Sequence, residues 1–119
     1  MDTPNKALFD EMAVYAARSQ RATVNGAQAF ARLLALAERH DSGQIVRVAR
    51  FIAATYNGHA FPLDVYNLRA VDIAISDDML LCLDALRWAK ADLHTLVPDG
   101  DARVRQMICN AGLCWPGDG

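Results

Sequence analysis

The sequence predicts an all-α protein, a compact bundle of five or six short helices, with a short β-hairpin around residues 63–75 as the open alternative. Three observations carry this. Apolar residues recur at steps of three and four along most of the chain, the breaks fall at short Asn-Gly, Ser-Gly and Pro-Asp-Gly segments, and hydrophobic residues make up 53% against 22% charged. That balance can offset the entropy of ordering a chain. At 119 residues the chain is expected to form one helical domain, residues 1–119, burying roughly two-thirds of its unfolded surface.

Thr3 before Pro4 reads as an N-cap with proline at the first helical position. Leu8, Met12, Tyr15 and Ala16 follow at helical spacing and predict a first helix to about Arg21. Asn25 and Gly26 then punctuate. Phe30, Leu33, Leu34 and Ala37 share a face while Gln28, Arg32, Glu38 and Arg39 lie elsewhere, which predicts a second helix ending near His40. Ser42 reads as the cap of a third helix with the stripe Ile45, Val48, Ala49, Ile52 and Tyr56, closed by Asn57 and Gly58.

Between Leu63 and Ile75, Asp64 reads as the cap of a short helix, whereas Val71, Ile73 and Ile75 alternating with Asp72 and Ala74 also fit short strands. Ser76, Asp77 and Asp78 form a helix start, a hydroxyl cap followed by carboxylates at the positive end of the macrodipole. The segment from Met79 to about Ala91 is apolar around most of its circumference, which places it centrally, with Asp84 and Arg87 on its wet side. Past Val97-Pro98-Asp99-Gly100, a last helix from about Ala102 to Ala111 turns Val104, Met107, Ile108 and Ala111 inward. Leu113 and Trp115 then fold back over the core.

Net charge is −2, divided as +2 over Met1 to Tyr56 and −4 over Asn57 to Gly119; a surface built throughout to neutralise phosphates is thereby disfavoured. No apolar run approaches the roughly 18 residues that a membrane span needs, and the start MDTPNKALFD lacks a basic stub with an apolar run behind it. Cys82, Cys109 and Cys114 are odd in number and match no disulfide framework. Together these predict a cytoplasmic protein with reduced thiols and no membrane partner.

Catalytic constellations are weak. His40, Asp41 and Ser42 contain the residue types of a hydrolase triad, but adjacent residues cannot line up nucleophile, base and orienting carboxylate. Cys109 and Cys114 with His94 or His59 lack the tight knuckle spacing of a zinc site. Cys82 sits in the most apolar helix and reads as a small hydrophobe. No glycine-rich phosphate cradle is present. The expectation is therefore no enzyme, no cofactor and no metal.

The stretch ARLLALAERHDSGQIVRVARFIAATYNG, followed by FPLDVYNLRAVDIAISDDML, resembles a family of small uncharacterised bacterial proteins carried by conjugative plasmids and integrative elements. Its pattern is a helix ending at a short Ser-Gly-Gln turn, a second helix ending near an Asn, and an Asp-rich stretch. The resemblance spans about Arg21 to Ala89 and brings no functional residue with it. It implies an accessory factor of a mobile genetic element that acts on host machinery, by regulating transfer genes or by inhibiting a host defence system such as CRISPR interference.

The expected function is accordingly non-catalytic protein binding, to another protein or to a second copy in a homodimer. Tyr56, Phe61 and Tyr66, in or beside the loop after the third helix, are the expected binding residues, since aromatic side chains anchor interfaces. The alternative is a small helix-turn-helix-like DNA-binding transcriptional regulator. In that reading Arg47 and Arg50 on the polar side of the third helix contact phosphates, with Arg39 near the end of the second helix as a further nucleic-acid-binding residue, and the net charge weighs against it.

Overall fold

The computed structural model of the protein describes residues 4–39, 43–113 and 115. Its order is α1 (Pro4–Ala37), α2 (Gln44–Tyr56), a 3₁₀ turn (Val65–Leu68), α3 (Ile73–Trp88), a second 3₁₀ turn (Leu93–Leu96) and α4 (Gly100–Asn110). The all-α expectation holds, but as four α-helices rather than five or six, and no strand occurs among the described residues. The Thr3 and Ser42 caps and the His40-Asp41-Ser42 segment lie outside the described residues.

The largest correction is at Asn25-Gly26, where a break between two helices was expected. α1 runs through it as one helix of 34 residues. Gly26 is there because α3 comes too close for any side chain: a Cβ would run into that of Ala85 and stand 3.0 Å from the Leu81 carbonyl oxygen. The Cys82 thiol points at the Gly26 carbonyl at 3.8 Å. Glycine inside a helix costs about 1 kcal/mol against alanine, and here close helix packing offsets it. α3 runs antiparallel to α1, with Asp78 at Arg32, Ala85 at Gly26 and Trp88 at Tyr15.

α3 begins four residues earlier than a cap at Ser76 predicts, with Asp72 as the capping residue. Gln44 clasps its start: the Asp72 backbone N–H donates to Gln44 Oε1 and Gln44 Nε2 donates to Asp72 Oδ2, both at 2.9 Å. Ser76 lies inside the first turn and donates to the Ile73 carbonyl at 3.0 Å. Nor is α3 buried all round: Met79, Cys82 and Ala85 face inward, while Leu80 and Leu86 are 55% and 44% exposed. It ends at Trp88, short of Ala91, with Ala89 in the left-handed region at φ 56°.

The 63–75 segment is neither a long helix nor a hairpin. Asp64 does act as a cap, accepting the Tyr66 N–H at 2.9 Å, but of a four-residue 3₁₀ turn. Val65 and Ile73 are exposed and have no sheet to pair with. α2 buries its predicted stripe except for the half-buried Tyr56, and adds Phe51 and Ala53, because α1 flanks it on one side and α4 on another. α4 starts at Gly100, whose buried backbone lies against the His94 carbonyl too tightly for a Cβ. Val104, Met107 and Ile108 are buried as predicted; Ala111, just past the last helical turn, is exposed. Arg103 ties α4 to the end of α1, donating to both carboxylate oxygens of Glu38 at 3.0 and 2.6 Å.

The bundle is not compact. Its extents are 65 × 30 × 25 Å and its radius of gyration is 17.0 Å, against about 13 to 14 Å for a compact chain of this length. α1 is the cause: 34 residues span about 51 Å, and its residues 5–18 are all exposed. No helix among the described residues is long and apolar enough to cross a membrane.

Candidate functional site: an aromatic surface at the end of α2

α2 ends at Tyr56 because the next residues turn. The Asn57 side chain accepts the Ala60 N–H at 3.0 Å, and the Phe61 N–H bonds back to the Asn57 carbonyl at 2.9 Å. This reversal carries Phe61 back beside the helix end, where Trp115 packs edge-on against both rings. The centroids lie 4.9 Å apart for Phe61 with Trp115 and 6.1 Å for Tyr56 with Trp115. His94, in the second 3₁₀ turn, closes the other side of Tyr56 at 4.8 Å.

The phenol is held by α4. Tyr56 donates to Asp101 Oδ1 at 2.6 Å, Arg105 Nε donates to Asp101 Oδ2 at 3.2 Å, and the Arg105 guanidinium lies 5.7 Å from the Tyr56 ring centre. Burial, and then the carboxylate it donates to, push the Tyr56 phenol above its ordinary value. The same bond, aided by Arg105, holds Asp101 below the usual carboxylate range. Tyr56 is thus a neutral donor and Asp101 an anion already engaged, a pairing suited to fixing a ring in place. An open groove runs along this face, lined by Tyr56, Asn57, His94, Arg105 and Trp115. A second groove adjoins it at Phe61, lined further by Arg47, Arg50, Pro62, Asp64 and Asn67.

Of the three aromatic residues predicted to bind, Tyr56 and Phe61 come together through Trp115. Tyr66 stands apart on the first 3₁₀ turn, with Arg47 and Arg69 over its ring at 5.7 and 5.2 Å. Among the arginines of the alternative reading, Arg47 Nη1 donates to the side-chain Oδ1 of the buried Asn67 at 3.0 Å, joining α2 to that turn. Arg50 is exposed at the second groove, and Arg39 is exposed in the turn that ends α1. Sequence reasoning missed Trp115, His94, Asp101 and Arg105 as members of one surface. The only signal was that Trp115 should fold back.

Other constellations add no chemistry. Among the described residues no group of three or more His, Cys, Asp or Glu could hold a metal ion; Cys114 lies outside them. Cys82 is fully buried, and desolvation pushes its thiol up to about 12. Asp78, expected only to complement the helix dipole, accepts Arg32 Nε and Nη2 at 3.1 and 2.8 Å.

No curated protein and no solved structure matches the chain. A family model does match residues 27–112, from within α1 to the end of α4, and on that match the chain belongs to DUF7673, a family of unknown function.

Proposed function

We propose that this domain is a non-catalytic protein-binding module whose contact surface is the aromatic face formed by Tyr56, Phe61 and Trp115. The observation that carries this reading is the clustering of three rings, bordered by Arg105 on one groove and Arg50 on the next. Aromatic rings and arginine are the side chains on which interface energy concentrates. The Asp101 clasp keeps Tyr56 ordered before any partner arrives, so little side-chain entropy is left to lose on binding. Its resemblance to small mobile-element proteins suggests a partner in host machinery, with a defence complex such as CRISPR interference as one candidate.

Affinity capture from nuclease-treated bacterial lysate tests this, with tagged wild type beside Phe61→Ala and Arg50→Ala. The expected result is one stoichiometric protein that wild type retains and Phe61→Ala loses while its circular dichroism stays unchanged. Equal retention by wild type and Phe61→Ala overturns the reading. An eluate without protein that gains a specific DNA once nuclease is omitted, and loses it with Arg50→Ala, replaces it with the DNA-binding regulator.

A further inference from the structure

The seam along which α1 meets α3 does not stop where α3 stops. Leu8, Met12, Tyr15, Ser19, Ala22 and Gly26 follow one another at alternating steps of four and three, the spacing of two helices wound together. Ser19, Ala22 and Gly26 are buried. Leu8, Met12 and Tyr15 are 53%, 56% and 50% exposed, because α3 ends at Trp88 beside Tyr15. Phe9, 66% exposed, and Ala16 widen the bare face. Such a continuous apolar strip marks an interaction site, and an uncovered helical arm is only marginally stable in water.

We propose that a second copy of this chain covers the strip, the two α1 arms pairing antiparallel about a twofold axis between Met12 and Tyr15. Charge and register select this occupant. Glu11 and Arg18 stand one residue before the seam positions Met12 and Ser19, seven apart on the same edge of the helix. Reversing a second α1 against the first sets Glu11 of each copy beside Arg18 of the other, so the twofold makes the same pair twice. Glu11 has no ion-pair partner among the described residues. The same register brings Met12 onto Tyr15 of the other copy and Phe9 onto Ala16, a large side chain against a small one. α3 already lies antiparallel on this seam, so the second arm continues the line of α3 in the same direction, beyond Trp88. The arm precedes the family-matched residues 27–112, and the pairing is independent of the aromatic groove.

Sedimentation equilibrium of the full chain, from about 1 to about 100 µM, tests the pairing by mass action. Four proteins are compared: wild type, Met12→Asp, Glu11→Arg, and Glu11→Arg with Arg18→Glu. Wild type is expected to dimerise and Met12→Asp to be monomeric, with a melting temperature that matches wild type only at concentrations where wild type is itself monomeric, because Met12 is outside the core. Glu11→Arg should weaken dimerisation about tenfold or more, two attractive pairs becoming repulsive, and the double reversal should restore it. A wild type monomeric throughout overturns the proposal, even if the arm then binds anionic vesicles or another protein. So does a dimer indifferent to Met12→Asp, or one that the double reversal fails to restore.

Discussion

Gly26→Ala separates two accounts of the longest helix. If the glycine merely weakens α1, alanine should stabilise the protein by about 1 kcal/mol through helix propensity. The structure predicts the opposite sign. The new methyl would run into Ala85 and press on the Leu81 carbonyl oxygen at 3.0 Å; both belong to the rigid backbone or its first side-chain atom, so α3 itself has to move. Overpacking of this kind costs about 1 to 3 kcal/mol, and parting the helices also loosens Ala22, Ala29, Met79 and Cys82 along the seam. With propensity returning about 1 kcal/mol, the net is a loss of up to about 2 kcal/mol, a fall in melting temperature of up to roughly 10 °C for a chain of this size. Thermal and urea unfolding followed by circular dichroism measure it. In an Ala85→Gly background the collision with the Ala85 methyl is gone and only the Leu81 oxygen is left to give way, so Gly26→Ala should cost less there and the cycle carries a favourable coupling. A higher melting temperature for the single variant Gly26→Ala would refute the close approach.

Arg103 and Glu38 form a bidentate pair that is about one-third exposed, so a double-alanine cycle in urea should give a coupling of about 1 kcal/mol that shrinks with salt. Tyr56→Phe should flatten the pH dependence of stability at both ends. Asp101, held low, contributes stability above about pH 4 that is lost as pH falls through its lowered value, and Tyr56, held high, contributes below about pH 10 and loses it as pH rises through its raised value; identical pH profiles for variant and wild type would count against the clasp. In a Cys114→Ser background, iodoacetamide at neutral pH should label the exposed Cys109 and spare Cys82 until the protein unfolds, as read by peptide mass mapping. Ser19 Oγ is buried with no hydrogen-bond partner, so Ser19→Ala should raise the melting temperature, by about 0.5 to 1 kcal/mol of stability.

Local rules read well where a residue's role is local. The stripe Ile45, Val48, Ala49 and Ile52 marks the inward face of α2, and Asp64 does cap the turn after it. They fail where a distant segment decides. Gly26 is a break in the local code and a packing device once α3 is present, and nothing near Gly26 in sequence announces Ala85. The start of α3 is set by Gln44, 28 residues before Asp72, so Ser76 looks like a cap and serves as an interior residue. Tyr56 and Phe61 could be named as neighbours of one loop, but Trp115, His94, Asp101 and Arg105 reach the same surface from segments 38 to 59 residues past Tyr56.

The charged residues bear on function through what they already hold. Composition alone leaves the arginines of the first half available for a phosphate backbone. In the fold, Arg32 is spent on Asp78 across α1 and α3, Arg47 on Asn67 across α2 and the first 3₁₀ turn, and Arg103 on Glu38 across α4 and α1. Arg105 and Asp101 hold Tyr56. Each clasp joins two elements that the short apolar stripes alone orient loosely, so these charges act mainly as ties within the domain. Beside the exposed Arg39 and Arg50, the surface keeps two apolar features: the exposed Leu8, Phe9, Met12 and Tyr15 strip on one helix arm, and the half-buried rings around Trp115. Surfaces of that composition gain most from excluding water against another protein surface and little from phosphate. That is the physical support for the protein-binding reading proposed above.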